Sequence, residues 1–364
     1  MAAQQQSNLR AGVPTETHPE PLVELQNLQV YFPVRKGFFG TKLVKAVDGV
    51  SLTVQRGEVV AIVGESGSGK TTLGRAALGL LKPTAGTVFV RGQRLSTLGA
   101  VELKAFRRRA QVIFQDPFAT IDPYMTIYES VAEPLVIHGI GDETERRRRV
   151  LQALRDVRLT PAEEIAGRYP HMLSGGQRQR AGIARALVLE PEYILADEPV
   201  SMVDASSRAE VLYLLRELRT RFDITFLYIT HDIATARHFA QRIVVMYLGR
   251  VVERGPAATI VDQPRHPYTQ ALIAAVPEPN PNNRLQPRAV LPGEPPDPSQ
   301  APAGCSFHPR CPAFMPGRCD VAAPALLEVE AGHWVSCYLY ESESGSDFSE
   351  NLSATDQKAI IKNR

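Results

Sequence analysis

Short apolar segments alternate with longer amphipathic segments between about residues 22 and 262. The apolar segments have the length and the branched side chains of strands; they read LVKAVDGVSLTV, VVAIVG, GTVFV, AQVIF, EYILAD, ITFLYIT and RIVVMY. Several are apolar throughout, which is typical of strands buried on both faces of a parallel sheet. Segments such as KTTLGRAALGLL and SSRAEVLYLLRELRTRF lie between them and have helical periodicity. The alternation predicts an α/β domain with a largely parallel sheet.

The pattern changes in two places. Between residues 124 and 190 it is helical only, which predicts a helical subdomain within the α/β domain. From residue 263 proline and turn residues become frequent, which predicts a small, loop-rich C-terminal domain. The expected division is a disordered lead at 1–21, the α/β domain at 22–262, a C-terminal extension at 263–340 and a disordered tail at 341–364.

Composition narrows the class of protein only slightly. The 364 residues are 44% hydrophobic, as in an ordinary globular protein. The net charge of +2 argues neither for nor against binding to nucleic acid, for which a basic stripe would be typical. The basic run from Arg146 to Arg149 is typical of a solvated helix face. No run of eighteen apolar residues occurs, and the N-terminal segment has no apolar core of a secretory signal. We therefore expect a cytosolic chain with reduced thiols.

The segment GESGSGKTT has the pattern of a phosphate-binding loop between a buried strand and a helix. Glycines let the backbone N–H groups face phosphates, and the helix N-terminus adds a favourable dipole. Lys70 would reach the β- and γ-phosphates, and the Thr71 hydroxyl would bind Mg²⁺. The candidate nucleotide-binding residues of the loop are Gly64, Glu65, Ser66, Gly67, Ser68, Gly69, Lys70, Thr71 and Thr72.

Two acids follow the apolar segment YILA. Asp197 would hold Mg²⁺ through water, as aspartates at strand ends do in phosphate-loop enzymes. Glu198 would orient or deprotonate an attacking water. The alternative is that the two acids only cap a helix.

The segment LSGGQRQR resembles the signature motif of ABC-type ATPases. It lies between the phosphate loop and ADEP, and FQDP, SMVDAS and ITHD complete the order of motifs that this family requires. The resemblance covers about residues 22–262 and implies an ABC ATPase fold with a helical subdomain. It also implies that two such domains close on two ATP molecules, so this chain, with one loop and one signature, would pair with a second ATPase chain.

The resemblance implies roles at single positions. Phe32, or alternatively Tyr31, would stack on adenine. Gln115 would contact Mg²⁺ and the attacking water, and His231 would grip the γ-phosphate. Asp204 matches the acid of the loop that links the two halves. The signature residues, which would contact the γ-phosphate held by the opposite subunit, are Ser174, Gly175, Gly176 and Gln177.

Three functional classes fit a phosphate loop: an importer ATPase, an ABC-type machine acting on DNA or ribosomes, and an unrelated kinase or GTPase. The signature disfavours the third, and the absence of cysteines or heptads between loop and signature disfavours the second. The segments RHPYTQALIAAVPEP and CSFHPRCPAFMPGRC are similar to the C-terminal extension of dipeptide and oligopeptide importer ATPases. That resemblance implies two membrane permeases, an extracytoplasmic binding protein and a peripheral location at the cytoplasmic face of the membrane. The cargo would be peptides, with nickel or sugars as alternatives.

All four cysteines, Cys305, Cys311, Cys319 and Cys337, lie in the C-terminal extension. Four thiolates are the number that a [4Fe–4S] cluster needs, and some members of the resembled subfamily carry such a cluster, so we expect one here. Zinc, disulfides and unliganded structural thiols remain alternatives. His308 and His333 lie among the cysteines and could complete a mixed site, although turn or packing roles would also explain them.

Overall fold

The computed structural model describes residues 21–36, 40–116, 120–276 and 293–341. Its strands are β1 (Val23–Lys36), β2 (Gly40–Val54), β3 (Val59–Val63), β4 (Ala85–Val90), β5 (Gln93–Arg94), β6 (Ala110–Ile113), β7 (Tyr193–Asp197), β8 (Thr225–Thr230), β9 (Arg242–Tyr247), β10 (Arg250–Pro256), β11 (Leu327–Glu330) and β12 (His333–Val335). Its helices are α1 (Lys70–Ala77), α2 (Ala100–Arg109), α3 (Ile127–Ile137), α4 (Glu143–Asp156), α5 (Ala162–Ala166), α6 (Gly175–Leu187), α7 (Ala205–Phe222), α8 (Ile233–Phe239), α9 (Ala257–Asp262) and α10 (Pro267–Ala274). Most of the predicted lead and tail lie outside the described residues.

The strands form two sheets. The larger has the order β11-β12-β10-β9-β3-β8-β7-β6, and its neighbours from β9 to β6 are parallel. The smaller, β2-β1-β4-β5, is antiparallel. The predicted α/β class with a largely parallel core is therefore confirmed. The sequence pattern does not single out β1, because three register shifts against β2 interrupt its alternation.

Strand β3 lies in the middle of the larger sheet, and every one of its side chains is buried. Val59, Ala61 and Val63 face the core shared with the helices after β6, whereas Val60 and Ile62 face the core shared with the smaller sheet and α1. Burial on both faces explains the uninterrupted apolar sequence. Residues that follow β3 consequently lie at the carboxyl edge of the parallel strands, where ligands bind in such sheets.

Helices α3 to α6 occupy the part of the chain between β6 and β7, as the helical pattern predicts. Side chains cap three of them: Thr126 accepts the Glu129 N–H before α3, Asp142 caps α4 and Ser174 caps α6. The division of the chain into domains stays a prediction. Within the described ranges, no helix combines the length and apolar character needed to cross a bilayer.

The described parts of the C-terminal extension (residues 263–276 and 293–340) pack directly on the larger sheet. Strand β12 pairs with β10, and Phe307 is fully buried in the main core. Glu253 of β10, itself fully buried, accepts the backbone N–H groups of Arg265 and His266 and contacts Nε2 of His333 at 2.7 Å. The extension thus shares both a sheet and a buried polar network with the α/β domain, which explains how a loop-rich segment is held in place.

Acidification should weaken this junction through His266. Its Nδ1 accepts the Tyr268 N–H, and burial lowers the pKa of His266 to about 4, although Glu253 acts in the opposite direction. Unfolded His266 therefore binds a proton below about pH 6.5 while the folded residue stays neutral, so stability is present above that pH and is lost as the pH falls. The expected loss between pH 7 and pH 5 is about 2 kcal/mol.

Urea unfolding at the two pH values measures this loss. His266→Asn is the matched variant, because asparagine also caps a helix but does not titrate. Its stability should fall less between pH 7 and pH 5 than that of the wild type. An equal fall in both proteins would show that His266 does not contribute.

Candidate functional site

The predicted phosphate loop joins β3 to α1, and Lys70 is the first residue of the helix. Lys70 is 5% exposed, and its ammonium donates to the carbonyl oxygens of Gly64 and Glu65, each at 2.8 Å, and to Ser68 Oγ at 3.4 Å. Burial lowers the pKa of Lys70, whereas the nearby carboxylates, including Asp197, raise it. The ammonium donates its hydrogen bonds to neutral oxygens, so its charge is available to bind anionic phosphates.

Gly69 allows the backbone of the phosphate loop to lie close to the backbone of β2 at Ala46. Its φ of 97° is left-handed, and a Cβ at this position would lie 2.0 Å from the carbonyl oxygen of Ala46. We expect Gly69→Ala to displace the loop and raise the dissociation constant for ATP by at least about tenfold, since that backbone contact cannot give way.

Calorimetric titration with ATP tests this expectation. Gly139→Ala is the control, because Gly139 also has a positive φ but a Cβ there would meet nothing within 4 Å. It should lose some stability and retain normal binding. Equal effects of the two substitutions on affinity would contradict the proposed role of the close approach.

A pair of oxygen donors lies beside the loop. Thr71 Oγ1 donates to Asp197 Oδ1 at 3.0 Å, which brings together residues 126 positions apart. Burial raises the pKa of Asp197, and the Thr71 hydrogen bond partly opposes this effect. A carboxylate and a hydroxyl are hard oxygen ligands of the kind that Mg²⁺ prefers, and a divalent cation would compensate the negative charge of the buried carboxylate. The two residues therefore fit the Mg²⁺ that the sequence predicts.

Glu198 contacts two other predicted catalytic residues. Its Oε2 accepts a hydrogen bond from Gln115 Nε2 at 3.0 Å and lies 3.2 Å from His231 Nδ1. Glu198 follows β7 in a left-handed conformation, with a φ of 46°, and its N–H donates to the Ile229 carbonyl of β8. A non-glycine residue in this conformation is strained, and such strain often accompanies function. The strand ends thus bring a carboxylate, an amide and an imidazole to one point.

Gln115, Glu198 and His231 line a cleft of about 690 Å³ that also contains part of the phosphate loop. Its lining residues are Phe32, Val44, Lys45, Ala46, Ser66, Gly67, Gly69, Lys70, Thr71, Thr72, Gln115, Glu198, His231, Leu248, Pro298 and Ala301. Phe32 is 39% exposed at this cleft, whereas the Tyr31 hydroxyl donates to Asp48. Of the two candidates for stacking on adenine, Phe32 has the accessible position.

The signature residues begin α6 in a capping box. Ser174 Oγ accepts the Gln177 N–H at 3.3 Å, and Gln177 Oε1 accepts the Ser174 N–H at 3.0 Å. Asp204 caps α7 by accepting the Ser207 N–H, and Ser207 side-chain atoms lie 3.3 Å from the position of a Cβ on Gly176. In the part of the chain that the structure describes, no signature residue lines the cleft. The signature is a helix N-terminus, suited to an anion, away from this chain's own cleft.

Comparisons with known proteins agree with this geometry. Residues 47–201 match the ABC transporter family model, and residues 252–319 match that of the oligopeptide/dipeptide transporter C-terminal region. The oligopeptide transport ATP-binding protein AppF of Bacillus subtilis is 45% identical over 90% of this chain and 99% of its own. A putative peptide import ATP-binding protein of Brucella ovis is 46% identical over 89% of this chain and 98% of its own. This chain belongs to the ATP-binding proteins of the oligopeptide/dipeptide ABC transporter family.

Solved structures of ABC cassettes share the fold of the present chain. The ATP-binding cassette MJ0796, in a dimeric post-hydrolysis state bound to ADP and Pi, is 34% identical, with a TM-score of 0.57 over 65% of this chain and 98% of its own. CbiO1 of Clostridium perfringens is 28% identical, with a TM-score of 0.58 over 67% of this chain and 91% of its own. Both matches cover about two thirds of the present chain and nearly all of the solved cassette.

The prediction of an iron–sulfur cluster is wrong. Across the described ranges, which contain all four cysteines, no group of three or more His, Cys, Asp or Glu side chains could hold a metal ion. The four cysteines are also free of disulfides. Burial raises the pKa of Cys305, that of Cys311 to about 11 and that of Cys337 to about 12.

The cysteines instead pack as small apolar side chains. Cys305 and Cys311 lie against the main core, and Cys319 is 7% exposed. His308 Nδ1 lies 2.9 Å from the Cys305 carbonyl in a turn, and His333 is the buried partner of Glu253. The number of cysteines and the family resemblance suggested an iron–sulfur cluster, but the contacts belong to a packed segment that pairs with the larger sheet.

Sequence reasoning missed the part of the site that comes from the extension. Pro298 and Ala301 line the cleft, and Arg310 forms an ion pair with Glu65 of the phosphate loop. The segment CSFHPRCPAFMPGRC contains Arg310, but its similarity to the family's extension does not indicate a contact with Glu65, because the two residues are 245 positions apart.

Proposed function

We propose that this chain is the ATP-hydrolysing subunit of a membrane importer of di- or oligopeptides. The observation that carries the proposal is the convergence of Glu198, Gln115 and His231 on a cleft that also contains the phosphate loop. The likeness to peptide import and oligopeptide transport ATP-binding proteins supports peptides as the cargo. Nickel and sugars are alternative cargoes that uptake measurements would distinguish.

In this proposal the cleft binds ATP along its length. Phe32 stacks on adenine, and the loop N–H groups with Lys70 bind the phosphates. Thr71, Asp197 and Gln115 would hold Mg²⁺. Bound Mg²⁺ would neutralise charge on the phosphate oxygens.

Hydrolysis then depends on the three converging side chains. Glu198 accepts a proton from the attacking water as general base. Gln115 orients the carboxylate through its amide, and His231 donates to the γ-phosphate. The hydrogen bond from Gln115 to Glu198 and the 3.2 Å contact between His231 Nδ1 and Glu198 Oε2 hold the carboxylate in place before substrate binds.

A second ATPase chain would complete each site. The signature residues Ser174, Gly175, Gly176 and Gln177 would contact the γ-phosphate held by the partner, and Asp204 would support that interface. Their position away from this chain's cleft and the dimeric state of the related cassette support this arrangement. Because these contacts exist only with ATP bound, closure and reopening would drive the transporter.

The remaining partners would be two permeases and, through them, an extracytoplasmic binding protein. The chain would then lie at the cytoplasmic face of the membrane, held only by the permeases. Coexpression with a cognate permease pair and ATPase partner tests this: the chain should sediment with membranes and release phosphate from ATP only when Mg²⁺ is present. Expression without permeases is the control and should leave the chain off the membrane. Salt-resistant association with DNA or ribosomes would instead favour the second functional class.

A further inference from the structure

We infer that Arg310 of the C-terminal extension is a positioning residue for the phosphate loop, so that nucleotide affinity depends on the extension. This inference rests on the proposed function. Arg310 Nη1 and Nη2 donate to the two carboxylate oxygens of Glu65 at 2.8 and 3.3 Å, across 245 positions of sequence. The Glu65 backbone N–H donates at 2.8 Å to the hydroxyl of Tyr268, which also belongs to the extension.

Arg310 is fixed by its surroundings. Its side chain is 6% exposed, and its Nη1 is 3.4 Å from the Tyr247 hydroxyl. The Tyr247 ring packs against those of Tyr268 and Phe307, with centroids 4.7 and 5.3 Å away. A two-pronged, largely buried arginine–carboxylate pair specifies a geometry as well as an attraction, and loss of one partner costs more than at an exposed pair.

The contact leads directly to the group that would bind phosphate. Lys70 donates to the carbonyl oxygens of Gly64 and Glu65, so a displacement of Glu65 would move acceptors that hold the ammonium. Neither Glu65 nor Arg310 lines the cleft within the described ranges, so Arg310 would act through the loop and not on the nucleotide. Pro298 and Ala301 do reach the cleft, which is a second contact between the extension and the site.

Calorimetric titration of the full-length chain with Mg-ADP tests the inference, because ADP reports on the loop without hydrolysis. Arg310→Gln should raise the dissociation constant about tenfold, and Arg310→Lys should recover part of the loss, because lysine keeps the charge but not the two-pronged geometry. Glu65→Gln should have a similar effect, and the double variant should be no worse than either single one. Arg318→Gln is the matched control: Arg318 pairs with Glu341 within the C-terminal region, and its loss should leave affinity unchanged.

The titrations are carried out at a temperature at which circular dichroism shows every variant to be folded. A change in the dissociation constant then reports on affinity and not on loss of folded protein. A lower melting temperature with an unchanged dissociation constant in Arg310→Gln would overturn the inference, because the pair would then only attach the extension. If Arg310→Gln does not fold, Tyr268→Phe preserves the packing and should weaken Mg-ADP about threefold, while an unchanged value would again overturn the inference. A wild-type chain that binds no nucleotide would instead overturn the proposed function.

Discussion

Glu198→Gln is expected to lower the rate of ATP hydrolysis by about 10²- to 10⁴-fold, the range for removal of a general base, while ATP remains bound. The amide keeps the size of the carboxylate and can still meet Gln115 and His231, whose contacts with Glu198 are 3.0 and 3.2 Å long. It cannot accept the proton of the attacking water. Binding energy would therefore be retained, and the ATP-bound dimer should accumulate because the step that reopens it is blocked.

Phosphate release and size-exclusion chromatography in ATP measure the two effects together. Glu217→Gln is a suitable control, because Glu217 is an exposed α7 residue paired with Arg158. It should hydrolyse ATP normally and form no trapped dimer. Hydrolysis by Glu198→Gln at the wild-type rate would show that the assigned mechanism is wrong.

Lys70→Ala is expected to raise the dissociation constant for ATP by about 100-fold or more, because charge-assisted contacts to phosphates are among the strongest hydrogen bonds. The ammonium is already desolvated, and burial lowers its pKa, so a phosphate replaces few water contacts when it binds. Calorimetry with ATP measures the loss. Lys82→Ala, at an exposed position beyond α1, should bind as the wild type does. Tight binding by Lys70→Ala would place the phosphates elsewhere.

Local signals made most of the nucleotide site predictable. The phosphate loop follows a buried strand, and the acids Asp197 and Glu198 follow another, so the parallel sheet brings them to one edge. Gln115 and His231 came from the family resemblance, and both lie beside Glu198. Motifs of contiguous residues at strand ends are thus predictable, because the topology of a parallel sheet fixes where they meet.

Long-range contacts of the extension were not predictable. Glu65 pairs with Arg310 across 245 positions and Glu253 with His333 across 80, and only the fold brings these partners together. The metal prediction failed for a related reason. The number of cysteines and the family resemblance indicate how many thiol ligands are available, but neither fixes the geometry of the thiols or the burial that raises the pKa of Cys311 and Cys337.

Uptake of a labelled peptide by proteoliposomes tests the central claim most directly. The vesicles would contain this chain, its ATPase partner and the permease pair, with the binding protein outside and Mg-ATP inside. We expect peptide to accumulate with Mg-ATP, and not with a non-hydrolysable analogue or with Glu198→Gln in this chain. Normal ATP hydrolysis without accumulation of any di- or oligopeptide would contradict the account of this chain as a peptide importer ATPase.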